Sequence, residues 1–256
     1  MSIASLTERT SRISPAEWAA RVELAAAYRL MDHFGHTDLA HNHICVRVPG
    51  EPDALLIKAA GDFFSEVTAS SLLKYAFDGT PRTPDVPRLS GGGLIIHAGI
   101  LEARPDVNAT IHSHTSATTG VASQKDGLLP INQHAMHFVG KIAYHTFGGF
   151  EFDMDQRAPL LKDLGSRNIA LLRNHGSLVC TASLGEAMVR HHQLETACAG
   201  QIAALSGGRE IVLIDAEVQD YATRQQQRQG GHDQNGGRNW QGLLRLARRQ
   251  YPDHAT

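Results

Sequence analysis

Short β-rich runs closed by turn residues alternate with capped helical stretches along this chain, and that interleaving restricts the fold to the α/β or α+β class. Ser14-Pro15-Ala16-Glu17 reads as a capping box with proline at the first helical position. Trp18, Val22, Ala25 and Ala26 follow at helical spacing until Gly35, which predicts an amphipathic helix over 15–34. Ile44 to Val48 and Ala54 to Ala59 flank Pro49-Gly50-Glu51-Pro52-Asp53 and read as a hairpin. Residues 79–93, rich in proline and glycine, can neither continue a helix nor ladder into a sheet and are expected to form a long loop. Leu94 to Arg104 returns to helical spacing and Val107 to His112 reads as a strand.

The second half repeats the mixture. A helix over 155–165 ends at Gly165, a strand spans Ile169 to Leu172, a turn falls at Asn174-His175-Gly176, and a strand follows from Leu178 to Cys180. Ser183 with Glu186 makes a second capping box, opening a helix expected to run to Leu205 and stop at Gly207-Gly208. Residues 222–238, rich in Gln, Gly and Arg, read as a solvated linker or lid, and Trp240 to Arg249 as a short basic amphipathic helix. No internal repeat is found. The expected organisation is a tail over 1–14, one domain over 15–210, and a C-terminal linker and helical tail over 211–256.

Composition decides which partners are excluded. A 42% hydrophobic content supplies a core, and 24 Lys and Arg against 26 Asp and Glu leave a net charge of −2, too little positive field for nucleic acid or an anionic membrane. Cys45, Cys180 and Cys198 form no CxxC pair, so neither a disulfide framework nor a thiolate zinc site is indicated. With no apolar stretch for a signal peptide or a membrane span, a cytoplasmic location is expected.

The 15 histidines are more than packing requires. His112-Ser113-His114 ends a predicted strand, and because side chains alternate across a strand, both imidazoles share a face. Such a pincer suits Zn, and also Mn, Fe or Co, but needs a third ligand. His175, in the Asn174-His175-Gly176 turn between two strands, is the candidate, with Gly176 expected to tolerate the turn's backbone geometry. Three histidines with open positions are the pattern of a catalytic metal site, although spacing alone also allows a pair of hydrogen-bonded or exposed histidines.

These residues carry a resemblance. Ala103-Arg104-Pro105-Asp106-Val107-Asn108 leading into His112-Ser113-His114, then Asn174-His175-Gly176, resembles the class II aldolase/adducin family. Ile44 to Gly50, Thr68 to Leu72 and Ser123 to Pro130 match it in the same order, so the resemblance covers roughly 15–208. It implies a three-layer αβα sandwich around a mostly antiparallel sheet, one divalent metal held by His112, His114 and His175, and commonly a homotetramer with sites at subunit interfaces. The family spans sugar-phosphate aldolases and epimerases, decarboxylases, a dehydratase, iron oxygenases and the non-catalytic head of adducin, so membership alone does not settle the reaction.

Departures from the family pattern narrow the reading. The aldolases' acid/base Glu corresponds here to Gly93, two serines that bind phosphate correspond to Gly91 and Gly92, and the Gly-Asn that helps hold phosphate corresponds to Asn42-His43. A phosphosugar substrate is therefore not expected. His134 lies where the aldolases place a proton-donating Tyr and is the candidate replacement acid or base; the alternative is a structural or metal-proximal role. Substrate-binding candidates are Asn42, His43, Lys58, Ser90, Gly91, Gly92 and Gly93, with Arg47 a further basic candidate for a carboxylate. Of His191 and His192 only one can face inward, and His192 with Glu195 is taken as packing or supporting the site rather than as catalytic. His33, His36, His41, His97, His137, His145, His232 and His254 are taken as structural or surface.

The expected activity is a metal-dependent lyase cleaving a C–C bond next to a carbonyl, by decarboxylation or retro-aldol cleavage, on a small non-phosphorylated hydroxy or keto acid. The alternatives are a non-haem iron oxygenase and an adducin-like binding module without chemistry. A homo-oligomer is expected, with the segment around Trp240 packed on a neighbour or over its site.

Overall fold

The expected hairpin forms as β1 (His43–Val48) and β2 (Glu51–Ile57), and it sits inside a seven-stranded sheet. The computed structural model describes residues 13–228 and 236–256; most of the expected N-terminal tail, and His232 in the expected linker, lie outside those residues. The other strands are β3 (Leu73–Ala76), β4 (Ala109–Ser113), β5 (Ile142–His145), β6 (Ile169–Leu172) and β7 (Gly176–Thr181). Their spatial order is β3-β2-β1-β4-β7-β6-β5, antiparallel except for the β5–β6 pair.

Among the described residues seven α-helices flank the sheet: α1 (Pro15–His33), α2 (Gly99–Ala103), α3 (Ser116–Ala122), α4 (Arg157–Leu164), α5 (Leu184–Ser206), α6 (Ala216–Arg228) and α7 (Gly237–Gln250). A π-helical turn, Gly93–Ala98, runs directly into α2. Strand alternation divides the core in two. Ile44, Val46, Ile111, Leu171 and Val179 face one cluster with α1, α5 and α7, while Cys45, Leu172, Leu178 and Cys180 face a second with α2 and α4. Two cores on opposite faces of one sheet make the three-layer αβα sandwich.

Both capping serines act as expected: Ser14 Oγ accepts from the Glu17 N–H (3.1 Å) and Ser183 Oγ from the Glu186 N–H (3.3 Å). The Glu17 carboxylate does not complete a box, because it turns inward to Arg21 (2.8 Å) and Lys74 (2.8 Å). Three expectations are corrected. Trp240 does not wait for a neighbour: it is buried in its own chain with Leu244 and Ala247, where the apolar stripe of α7 packs on α1 and α5. Residues 222–228 are not a linker but the end of α6, although they stay solvated as expected. On α5 it is His191, fully buried, that faces inward, and His192 that is exposed, because Glu195 lies one helical turn after His191.

Candidate metal centre

His112 and His114 leave β4 on the same face, as alternation requires, and the β6–β7 turn brings His175 to them. The local backbone explains that turn. Asn174 carries its left-handed conformation (φ 58°), and Gly176 is required by contact rather than by φ, since a Cβ there would lie 2.2 Å from the Ser113 carbonyl oxygen of β4. That close approach presses the turn onto the end of the pincer strand.

The Nε2 atoms of His112, His114 and His175 lie 2.8, 3.0 and 3.2 Å apart. Each ring's other nitrogen has an acceptor. His112 Nδ1 donates to the Ser177 carbonyl (2.9 Å), His114 Nδ1 to Asp38 Oδ2 (3.1 Å), and His175 Nδ1 to Glu151 Oε1 (3.0 Å). A carbonyl and two carboxylates can only accept, so every Nδ1 carries the proton and every Nε2 presents a lone pair. Three lone pairs aimed at one point repel unless a cation takes them. Their spacing matches neighbouring nitrogen ligands on an ion with bonds of about 2.1 Å. The donor set therefore fits a divalent metal, and it is the one group of metal-ligating side chains found among the described residues.

Electrostatics agree. Burial, with His43 alongside, holds His112 well below the usual imidazole range; burial also lowers His114, with Asp38 partly opposing. Both rings are thus neutral ligands near pH 7. Asp38 and Glu151, which orient two of the rings, were missed in the sequence. They sit on irregular connections, and only the folded proximity to a histidine distinguishes them.

The candidate substrate residues divide into three groups. Asn42 is fully buried and used at both ends, donating to His36 O (3.1 Å) and accepting from the His114 N–H (3.0 Å). Arg47 is tied to the carbonyls of Leu101, Arg104 and Val107 and lies over Phe77, bracing β1 rather than joining the site.

His43, Lys58 and Ser90 to Gly93 do come together, lining a groove of about 1100 Å³. His43 overlaps His112, with ring centroids 5.2 Å apart, so the groove's inner end abuts the triad. Its Nδ1 pairs with His97 Nε2 (2.6 Å), and His97 in turn pairs with Thr110, leaving His43 Nε2 toward Gly92. A Cβ on Gly92 would meet that nitrogen at 2.9 Å, and one on Gly93 would meet Leu89 at 2.7 Å, so neither position admits a side chain without displacement. Lys58 is buried, donates to Ala40 O (2.8 Å) and Ala59 O (3.2 Å), and is pushed down to about 8 by burial.

His134 stands apart. It is exposed at the start of a 3-10 turn, Ala135–His137, that packs on α5 and α6, and its electrostatic neighbour is His192 rather than a triad histidine.

Comparison with known proteins places this geometry. The family described as the class II aldolase and adducin N-terminal domain matches residues 22–202. An aldolase class 2-type protein of Caulobacter vibrioides is 37% identical over 95% of both chains. Rat alpha-adducin is 38% identical over 76% of this chain, but the match spans only 27% of adducin. Among solved structures, an aldolase II superfamily protein from Pseudomonas syringae superposes with a TM-score of 0.90 at 40% identity, over 96% of this chain and 99% of that one. L-fuculose 1-phosphate aldolase from Glaciozyma antarctica superposes with a TM-score of 0.79 at 22% identity, over 99% of each chain, a likeness of fold.

Proposed function

The chain belongs to the class II aldolase and adducin family, and from that premise we propose that it is a divalent-metal-dependent lyase that breaks a C–C bond next to a carbonyl in a non-phosphorylated hydroxy or keto acid. One observation carries the reading: three Nε2 lone pairs converge while acceptors hold all three Nδ1 protons.

In this reading His112, His114 and His175 hold one divalent ion, with zinc first and manganese, iron or cobalt as alternatives. When bound, the ion supplies Lewis-acid stabilisation of the negative charge that develops on the carbonyl oxygen as the bond breaks. Asp38 and Glu151 fix the ring planes of His114 and His175. Lys58 Nζ, a buried cation of the groove without an ion pair, receives the substrate carboxylate. The backbone of Ser90, Gly91 and Gly92 forms the adjoining wall, which places a main chain where the sugar-phosphate enzymes carry hydroxyls. Gly93 provides no carboxylate, and a side chain there would displace Leu89. That favours decarboxylation, which needs a proton donor after the bond breaks but no base to begin. His43 Nε2 borders the groove, where it can hold a proton. His134, exposed and on the α5 side, takes its proton-transfer role in the site of a neighbouring copy, within a homotetramer.

The match to adducin supports a second reading, a binding module without chemistry. A complete ligand set with oriented rings weighs against it, because binding alone does not require three converging lone pairs.

The test is a cleavage assay on metal-loaded protein with non-phosphorylated 2-hydroxy and 2-keto acids and with sugar phosphates, with oxygen uptake followed in parallel. Cleavage of an acid without oxygen uptake is the expected result. Substrate-dependent oxygen uptake with iron bound identifies the oxygenase instead. A metal-loaded protein that binds acids and cleaves none identifies the binding module.

A further inference from the structure

The groove that meets the triad at His43 is much larger than a two- or three-carbon acid requires. Its volume of about 1100 Å³ exceeds the roughly 300–1,000 Å³ of pockets that enclose drug-sized ligands. It runs outward from Lys58 between β3 and the 79–93 loop. Ile57, Leu73, Val86, Leu89 and Phe152 supply apolar surface along it. Leu73, Val86 and Leu89 are only half-buried, so a ligand in the groove removes apolar surface from water.

The charged groups show which end takes the acid. Arg21 is paired with Glu17, Lys74 with Glu17 and Glu51, and Arg82 with Glu51 and Asp53. Arg88 is taken up by Asp78 O (2.8 Å) and Thr80 Oγ1 (3.0 Å). Lys58 differs from the exposed Arg88 in being buried: its ammonium donates to two neutral carbonyls and lies 5.7 Å from the centre of the Phe64 ring, and no ion pair among the described residues includes it. Asp62, which also lines the groove, acts on Lys58 electrostatically without forming an ion pair with it. An ammonium has three donors, so beyond its two carbonyls Lys58 has one N–H that meets only the weak acceptor face of Phe64 and can turn to an anion. A buried cation without a paired anion at the metal end, with the apolar surface of Leu73, Val86 and Leu89 beyond it and the flanking Arg21, Lys74 and Arg82 already paired, is complementary to one negative head followed by an apolar body.

We infer that the ligand of this groove is a carboxylic acid with a bulky apolar chain or ring, its carboxylate on Lys58 and its apolar part lying outward between Leu73, Val86 and Leu89. The inference rests on the lyase reading for the position of the head group and replaces its small acid with a larger one. It concerns binding, so it stands or falls independently of turnover.

The test measures affinities of metal-loaded protein for two non-cleavable 2-hydroxy acids by calorimetry, one with a three-carbon skeleton and one carrying a phenylethyl group. Each buried methylene contributes roughly fourfold, so the larger acid is expected to bind at least about 30-fold tighter. Val86→Trp, on the half-exposed loop, fills the outer groove and is expected to remove that advantage while leaving the three-carbon acid unchanged. Lys58→Met is expected to weaken both acids and Lys58→Arg to restore them in part, with metal content constant. Equal affinity of wild type for the two acids overturns the inference, as does wild-type binding of the larger acid by Val86→Trp. A change of oligomeric state in Val86→Trp without a change in acid binding also overturns it, by identifying the groove as a subunit interface. Tight binding of the larger acid with no cleavage of any acid leaves the inference standing and removes the lyase reading.

Discussion

Asp38 and Glu151 touch no substrate in this account, yet they decide whether two imidazoles present lone pairs or protons to the metal. Asp38→Asn or Glu151→Gln leaves each histidine in place but removes the charged acceptor from Nδ1, so the ring tautomer and plane are no longer fixed. Metal affinity measured by chelator competition is expected to fall about 10–100-fold in each variant, with melting of the metal-free protein little changed. Unchanged affinity in both would mean that the rings are oriented by packing alone. The pincer was legible in the sequence because alternation along a strand is rigid geometry, and His175 was legible as the imidazole of a turn. Its partners were not, since an aspartate after a helix and a glutamate in an aromatic loop have no periodicity that links them to a histidine far along the chain. Gly176 was read as tolerating an unusual backbone, but the structure assigns that to Asn174 and gives Gly176 the contact with Ser113.

At the level of elements, α5 buries His191 against the sheet. Its Nε2 meets Ser113 Oγ (2.8 Å), His36 and His192 stand beside it, and Glu195 lies one turn away. Burial first, then those two histidines, holds His191 well below the usual range; burial holds His97 down to about 3. Unfolded histidine titrates near pH 6.5. Below that value the unfolded chain takes up protons that the fold refuses, so stability present above about pH 6.5 is lost as pH falls toward the folded values. Glu195, pushed up to about 7 by burial, acts in the opposite sense, losing its contribution as pH rises through that value. Urea unfolding is expected to show stability falling from about pH 6 to 4, and His191→Gln to flatten that slope by up to about 1.4 kcal/mol per pH unit. An identical slope in the variant would show that His191 is protonated in the fold.

The long elements α1 and α5 were readable because capping serines and a sustained apolar face both mark them. β3 and β5, four residues each, and α3, rich in Thr, Ser and Gly, were not: their local preferences are weak, and pairing or packing with distant segments decides them. α7 was found as a helix but placed on the wrong partner, because amphipathicity shows that a face is covered and not by what.

For the whole molecule, the position of His134 is the question of assembly. In one chain it sits with His192 on the α5 side, so a proton-transfer role requires a second copy to receive it. His134→Asn is expected to lower kcat by roughly 10²–10⁴-fold with metal retained. Mixing it with His112→Ala chains is expected to restore part of the activity, because some sites then combine an intact triad with an intact His134. No recovery in mixed oligomers, verified by light scattering, would remove His134 from the chemistry. The α/β or α+β class was legible from interleaved strands and helices and the three layers from the family resemblance, but the groove was not, because its walls come from separate segments whose approach no local pattern announces.

The convergence of three imidazoles on one ion underlies all of these expectations, and metal stoichiometry tests it most directly. Elemental analysis of the protein as purified, alongside His112→Ala/His175→Ala verified as folded by circular dichroism, is expected to give close to one divalent ion per chain for the wild type and almost none for the double variant. Full occupancy in the folded double variant would contradict the account, since the ion would then have other ligands.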